Sequence, residues 1–442
     1  MKVDLVEGNI GATSGRKIVV VNQAVNYLTI GFCNAFRERF EEVAVITGSV
    51  HVQGEELDPR VRWTRIAHWV ERPAWRKLVS WMWACVQIWV LLVTRYRRFE
   101  VVFVSIPPMA YLLSVVVPNR CSMVIWDVYP DLFKITGMGE AHPVYRVWGW
   151  LNRVAFRRAY RVFTIGERMR GLVEQYVDGD GDVDVKQYVD ADVERDGDMY
   201  VNGGKRAGGA GGGTGGGTGG GTGGVLVTPI WSIFQEHERV PKAENPFVRE
   251  HGLEGKFVVQ YSGNIGLTHQ VEVMIDLAER MRDREDILFQ IIGRGPRKPV
   301  LERLVADRNL PNCMFLPFQS DEMFPFSLSA ADVGVVIVDR EIAMGSVPSK
   351  SYNLMNFGIP SLYFASEESE LYHYAKRFGH AGCFDHADLD GAAAFIERLA
   401  GNSEAQEHLA ERAMEASEWF RRGNADRLVD AYIQGRVCDG IA

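Results

Sequence analysis

The chain has 442 residues, enough for two or three domains with ample core. Hydrophobic residues make up 47% and charged residues 24%, an ordinary globular balance. A net charge of -8 counts against a general nucleic-acid binder, which would be basic.

The charge is uneven. The N-terminal half carries basic, Trp-rich stretches, and Asp clusters at 178–198. Cys33, Cys85, Cys121, Cys313, Cys383 and Cys438 are scattered, with no CxxC. They read as reduced cytosolic thiols, mostly core filler. The N-terminus is polar until Lys17, so no signal peptide is expected.

In chain order, KIVVVN is a β-branched strand, and Leu28 to Phe40 has helical spacing. VAVITGS is a strand, and VRWTRIA could be another. Leu78 to Val93 is strongly apolar and flanked by Arg76-Lys77 and Arg95-Tyr96-Arg97-Arg98. It is shorter than the ~20 residues of a spanning helix. Three readings stay open: a helix packed on a sheet, a basic, Trp-bearing helix resting on a bilayer, or a true span.

Strand VVFVS follows, ending at Pro107-Pro108, and then CSMVIWDVYPD, a strand running into a loop. Pro143 to Tyr160 has helical spacing, RVFTIG is a strand, and Glu167 to Tyr176 a helix. Residues 177–224 break the pattern, Asp-rich at first and then tandem Gly-Gly-Gly-Thr. No core can form from such a segment, so a flexible surface insertion is expected.

Alternation then resumes. VLVTPIW, FVVQYSG, ILFQIIG, CMFLPF, DVGVVIV and IPSLYF read as strands. Helices are expected at Gln270 to Asp283, Pro299 to Arg308, MFPFSLSAA and Ser349 to Asn356. Three more close the chain: Ala392 to Ala400, Ala405 to Ala416 and Trp419 to Gly435. Such alternation predicts parallel sheets covered by helices on both faces. The expected organisation is a tail at 1–15, an α/β domain at 16–190 and an insertion at 191–224. A second α/β domain at 225–415 and a terminal helical segment at 416–442 complete it.

Three phrases in the second half stand out: YSGNIGLTH, IIGRGP, and VPSKSYN followed by FGIP. Each small-residue turn after an apolar strand can bring backbone N–H groups close to a phosphate. In this order and wording they resemble the C-terminal domain of family 4 retaining glycosyltransferases, of the GT-B architecture. The nearest look-alikes are enzymes of O-antigen, capsule and exopolysaccharide assembly. SIPPMA, WDVYPD, FTIGERMR and TPIW extend the resemblance more loosely.

The resemblance implies two Rossmann-like domains facing a cleft, with the last helix crossing back to the first domain. It implies a UDP- or GDP-linked sugar as donor, a saccharide or lipid-linked acceptor, and no further cofactor or metal. The expected setting is cytoplasmic, with contact at the inner face of the cell membrane an alternative.

The resemblance also suggests site residues. Gly31 lies in the expected loop after KIVVVN. Gly263 and Asn264 are expected to offer N–H groups to a diphosphate, with His269 donating to a phosphate or capping the next helix. Gly293, Arg294 and Gly295 form the turn beside the base. Ser349 and Lys350 suit a phosphate, and Tyr352 and Asn353 complete the donor set. Asp127, with Asp131, could orient an acceptor hydroxyl. Asp127, His269 and Lys350 are the catalytic candidates.

The family motif has two glutamates with seven residues between them, which fall here on Gly345 and Asn353. The second commonly bonds the ribose hydroxyls. An amide there can still accept through its carbonyl oxygen, but without charge. A catalytically silent scaffold of the same fold is therefore the alternative reading.

Overall fold

The structure is a computed structural model that describes residues 15–70, 73–104, 106–178, 224–235, 237–266 and 270–435. The Gly/Thr-rich insertion falls almost wholly outside these residues, as does His269. The chain divides into two compact units. Unit 1 is Met1–Ile230 with Arg422–Ala442, and unit 2 is Trp231–Arg421.

Unit 1 is built on seven strands: β1 (Lys17–Val21), β2 (Glu42–Thr47), β3 (Arg62–Arg65), β4 (Glu100–Val104), β5 (Cys121–Ile125), β6 (Val162–Thr164) and β7 (Leu226–Val227). Their order is β3-β2-β1-β4-β5-β6-β7, and every pairing is parallel. Ile18 to Val21 have no exposed surface. That is the continuous apolar run expected of a parallel strand covered on both faces.

Four helices follow strands: α1 (Tyr27–Arg37), α2 (Ala74–Val93), α3 (Pro143–Arg158) and α4 (Glu167–Asp178). The strand order reverses direction after β3. Right-handed crossovers therefore put α1 on one face of the sheet and α2 and α3 on the other.

Unit 2 has six parallel strands: β8 (Phe257–Asn264), β9 (Ile287–Arg294), β10 (Cys313–Leu316), β11 (Val333–Ile337), β12 (Ser361–Phe364) and β13 (Ala381–Phe384). Their order is β10-β9-β8-β11-β12-β13. The helices are α5 (Pro246–Glu250), α6 (Glu272–Arg280), α7 (Lys298–Asp307), α8 (Phe324–Ser329), α9 (Lys350–Asn356), α10 (Glu370–Phe378), α11 (Leu389–Ala400) and α12 (Ser403–Ser417). The last helix, α13 (Asn424–Gln434), returns to unit 1 and packs on α1. Tyr432 anchors it, with its ring edge-on to Phe36 and Phe40 and its hydroxyl donating to Glu100 at 2.6 Å.

Both parallel sheets and the returning helix agree with the sequence reading. One expectation needs correction, and two features add to the reading. Gly31 is not in a loop: α1 begins at Tyr27, capped by the Asn26 side chain, which accepts from the Thr29 N–H at 3.2 Å. Gly31 is the fifth helical residue, so its N–H belongs to the helix ladder. Helix α10 and strand β13 were not anticipated. Helix α2 does pack on the sheet, but only one side of it is covered.

Candidate functional site

In unit 2, β8 and β9 pair over eight residues, from Phe257 opposite Ile287 to Asn264 opposite Arg294. The expected loop residues Gly263 and Asn264 thus end a strand. Gly263 lies opposite Gly293. Beyond the pair, the Ile265 N–H donates to the Arg294 carbonyl at 2.9 Å. A Cβ on Gly293 would lie 1.9 Å from the Gly263 carbonyl oxygen. One on Gly295 would lie 2.1 Å from that of Ile265. No side chain fits either gap, so the two strand ends meet only through glycine.

Lys350, the first residue of α9, reaches into the same place. Its Nζ is 3.9 Å from the centre of the Tyr261 ring and 3.1 Å from where a Gly263 Cβ would sit. The residue as a whole is half-buried, but the nitrogen is sealed from solvent and has no hydrogen-bond partner. Burial pushes its pKa down to about 7. Lys350 lines a narrow pocket with Gln260, Ser262 and Asn353, and with the apolar side chains of Phe324 and Leu328. The three phrases therefore converge at the carboxyl ends of β8 and β9, where open α/β sheets take ligands.

Asn353 lines that pocket but is already engaged. Its Oδ1 accepts from the Ser232 hydroxyl at 2.9 Å, and Ser232 Oγ in turn accepts from the Phe234 N–H at 3.0 Å. Ser232, Ser262 and Gln260 were missed in the sequence, although Ser232 directly follows TPIW and Ser262 lies within YSGN.

The other predicted residues separate. Tyr352 is fully buried, with its ring 4.7 Å from that of Phe420, so it is a core residue rather than a donor contact. Arg294 is exposed, its guanidinium 5.2 Å from the Phe318 ring centre. Ser349 is exposed and makes no cap bond to α9.

In unit 1, Asp131 is a packing anchor. Its carboxylate accepts from Tyr145 at 2.6 Å and from Tyr176 at 2.5 Å, with Lys134 at 3.2 Å. That occupancy removes it from the acceptor role. Asp127, four residues earlier beyond the end of β5, is half-buried, and burial raises its pKa to about 6. Among the described residues no cluster of His, Cys, Asp or Glu is arranged to hold a metal ion.

Residues 244–416 match the family described as glycosyl transferases group 1. WcaI of Escherichia coli (strain K12), named for colanic acid biosynthesis glycosyl transfer, is 30% identical over 205 residues. That stretch is 45% of this chain and 50% of WcaI. The alpha-D-kanosaminyltransferase of Streptomyces kanamyceticus is 33% identical over 99 residues, 22% of this chain and 25% of that protein. The matches thus span half or less of these curated relatives. Among solved structures, Anabaena HepE in complex with UDP-glucose superposes with a TM-score of 0.61 at 11% identity, over 95% of this chain and 99% of HepE. At that identity the likeness establishes the fold.

Proposed function

We propose that this chain, whose residues 244–416 match the group 1 glycosyl transferases, moves a sugar from a nucleotide-sugar donor to a saccharide or lipid-linked acceptor. The reading places the protein in cell-surface polysaccharide assembly, in keeping with the name of WcaI, and has the transfer retain anomeric configuration. The observation that carries it is the unpartnered Lys350 Nζ at the glycine-lined end of β8 and β9. A buried cation with no acceptor calls for an anion, and the leaving diphosphate of a UDP- or GDP-sugar is one.

In this reading Lys350 is protonated as the donor binds and neutralises charge building on the leaving diphosphate. Gly263, Gly293 and Gly295 keep the strand ends free of side chains so that backbone can approach the phosphates. Asp127 orients the acceptor hydroxyl. Calorimetric titration of the full chain with UDP- and GDP-sugars tests it. Binding to one of them, weakened about a hundredfold or more in Lys350→Met, is expected. No binding to any of them ends the proposal.

The engagement of Asn353 by Ser232 favours a second reading, a scaffold of the same fold that no longer holds a ribose. The same titration separates the two.

A further inference from the structure

Helix α2 has two different sides. Its inner side is covered: Ala84, Ile88 and Leu92 have no exposed surface, and Ser80 and Cys85 are buried. Polar contacts fix it there too. The Gln87 side chain accepts from the Ala67 N–H at 2.7 Å, and Gln23 donates to the Ser80 carbonyl at 3.3 Å. The outer side carries Trp75, Val79, Met82, Trp83, Val86 and Trp89, each between 43% and 63% exposed. Their spacing of three and four residues makes one continuous apolar stripe along a helix of 20 residues. A stripe of that extent is unusual on a soluble surface.

The surroundings of the stripe are basic. From Pro73 to Phe99 there is no Asp or Glu, while Arg76 and Lys77 stand at one end and Arg95, Arg97 and Arg98 at the other. Helix α3 lies on the same face of the sheet, and both helices pack on the segment Ala110–Val115. It also lacks acidic residues and exposes Val147 and Trp150. A hollow of about 520 Å³ beside α3 is lined by Arg146, Trp150 and Arg153, together with one acidic residue, Glu140, which is paired with Lys134. All this sits in a chain whose net charge is -8. Tryptophans, aliphatic side chains and flanking arginines on one face suit the boundary between lipid headgroups and acyl chains.

We propose that the α2–α3 face of unit 1 docks on an anionic lipid bilayer, with the α2 stripe among the acyl chains and the flanking arginines on lipid phosphates. Trp75–Val93 is also apolar and long enough to cross a membrane by composition. Its covered inner side and its polar contacts hold it against the sheet instead, so it lies along the surface. The inference goes beyond the donor reading, because vesicle binding is measured with no nucleotide sugar present.

The test is co-sedimentation of the full chain with vesicles of phosphatidylcholine alone, or with about one-third phosphatidylglycerol. Binding about tenfold or more tighter to the anionic vesicles, weakened by high salt, is expected. Trp83→Glu with Val86→Glu should lower it about tenfold or more, with melting temperature and donor titration unchanged. No sedimentation, equal binding to both vesicles, or a variant that binds as before overturns the proposal. So does binding that survives alkaline carbonate extraction, which would make the helix an integral span. A dimer in lipid-free solution that the same variant dissociates would give the face to a second copy.

Discussion

Lys350 holds its ammonium nitrogen 3.9 Å from the ring centre of Tyr261, sealed from water and with no acceptor. The ring offers some attraction, but less than the lost hydration. The cost shows in the Lys350 pKa, lowered to about 7 from 10.5 by burial. The folded state thus binds fewer protons than the unfolded one between pH 7 and 10.5. Without donor, stability at this position is lowest below pH 7 and recovers as pH rises. Lys350→Met should therefore melt higher than the parent at pH 6, with the difference fading by pH 10. A variant that melts lower at every pH would make Lys350 a structural cation.

Gly293→Ala should damage both fold and site. Its Cβ would meet the Gly263 carbonyl oxygen at 1.9 Å, backbone that can move only by parting β8 from β9. Overpacking of this kind costs about 1–3 kcal/mol. Urea unfolding should show that loss, and donor titration should show no binding even where the variant is folded. A variant with parental donor affinity would remove the strand ends from the site.

Much of this was legible. The β-branched runs marked the strands, and the glycines of YSGN and IIGRGP marked the place where the ends of β8 and β9 meet. Other features had weaker signals. Gly31 looked like a loop glycine, although Asn26 three residues before Thr29 is the cap that starts the helix. Ser369 and Gly379 bracket α10 in the same way, as N-cap and left-handed C-cap, and were passed over. The burial of Tyr352 could not be read, since a tyrosine within a phosphate-like motif suits site and core equally. Nor could the exposure of α2: it is apolar nearly all round, so periodicity does not say which side is covered.

Asn353 is held by Ser232, whose hydroxyl hydrogen points at the amide oxygen. A carboxylate at this position would accept the same bond and keep a second oxygen for a ribose hydroxyl. Charge-assisted bonds are about twice as strong as neutral ones. Asn353→Glu should therefore tighten donor binding about threefold to tenfold by calorimetry. A loss of affinity would show that the amide is matched to its donor.

Asp127 is expected to act on the acceptor and not on the donor. Asp127→Asn should leave donor titration unchanged while transfer to acceptor falls about a hundredfold or more. Its carboxyl pKa is raised to about 6 by burial, so the parent should lose transfer as pH drops through 6. Unchanged transfer in the variant would leave Asp127 a loop carboxylate.

Tyr432 ties the returning helix α13 to β4. Its hydroxyl donates to Glu100, which Arg16 also grips at 2.7 and 2.8 Å. Burial alone would raise the Glu100 pKa, but the bonds from Arg16 and Tyr432 outweigh it and the net shift is downward. A depressed carboxyl contributes stability above its unfolded pKa and loses it as pH falls through the folded one. Tyr432→Phe removes one charge-assisted bond, a loss of about 1.5–3 kcal/mol at pH 7. The penalty should shrink as pH falls below the ordinary carboxylate range, once Glu100 is protonated. Amide exchange within Asn424–Gln434 should rise in step with that loss. Exchange that stays slow would mean that the packing of the Tyr432 ring on Phe36 and Phe40 holds the helix without the bond.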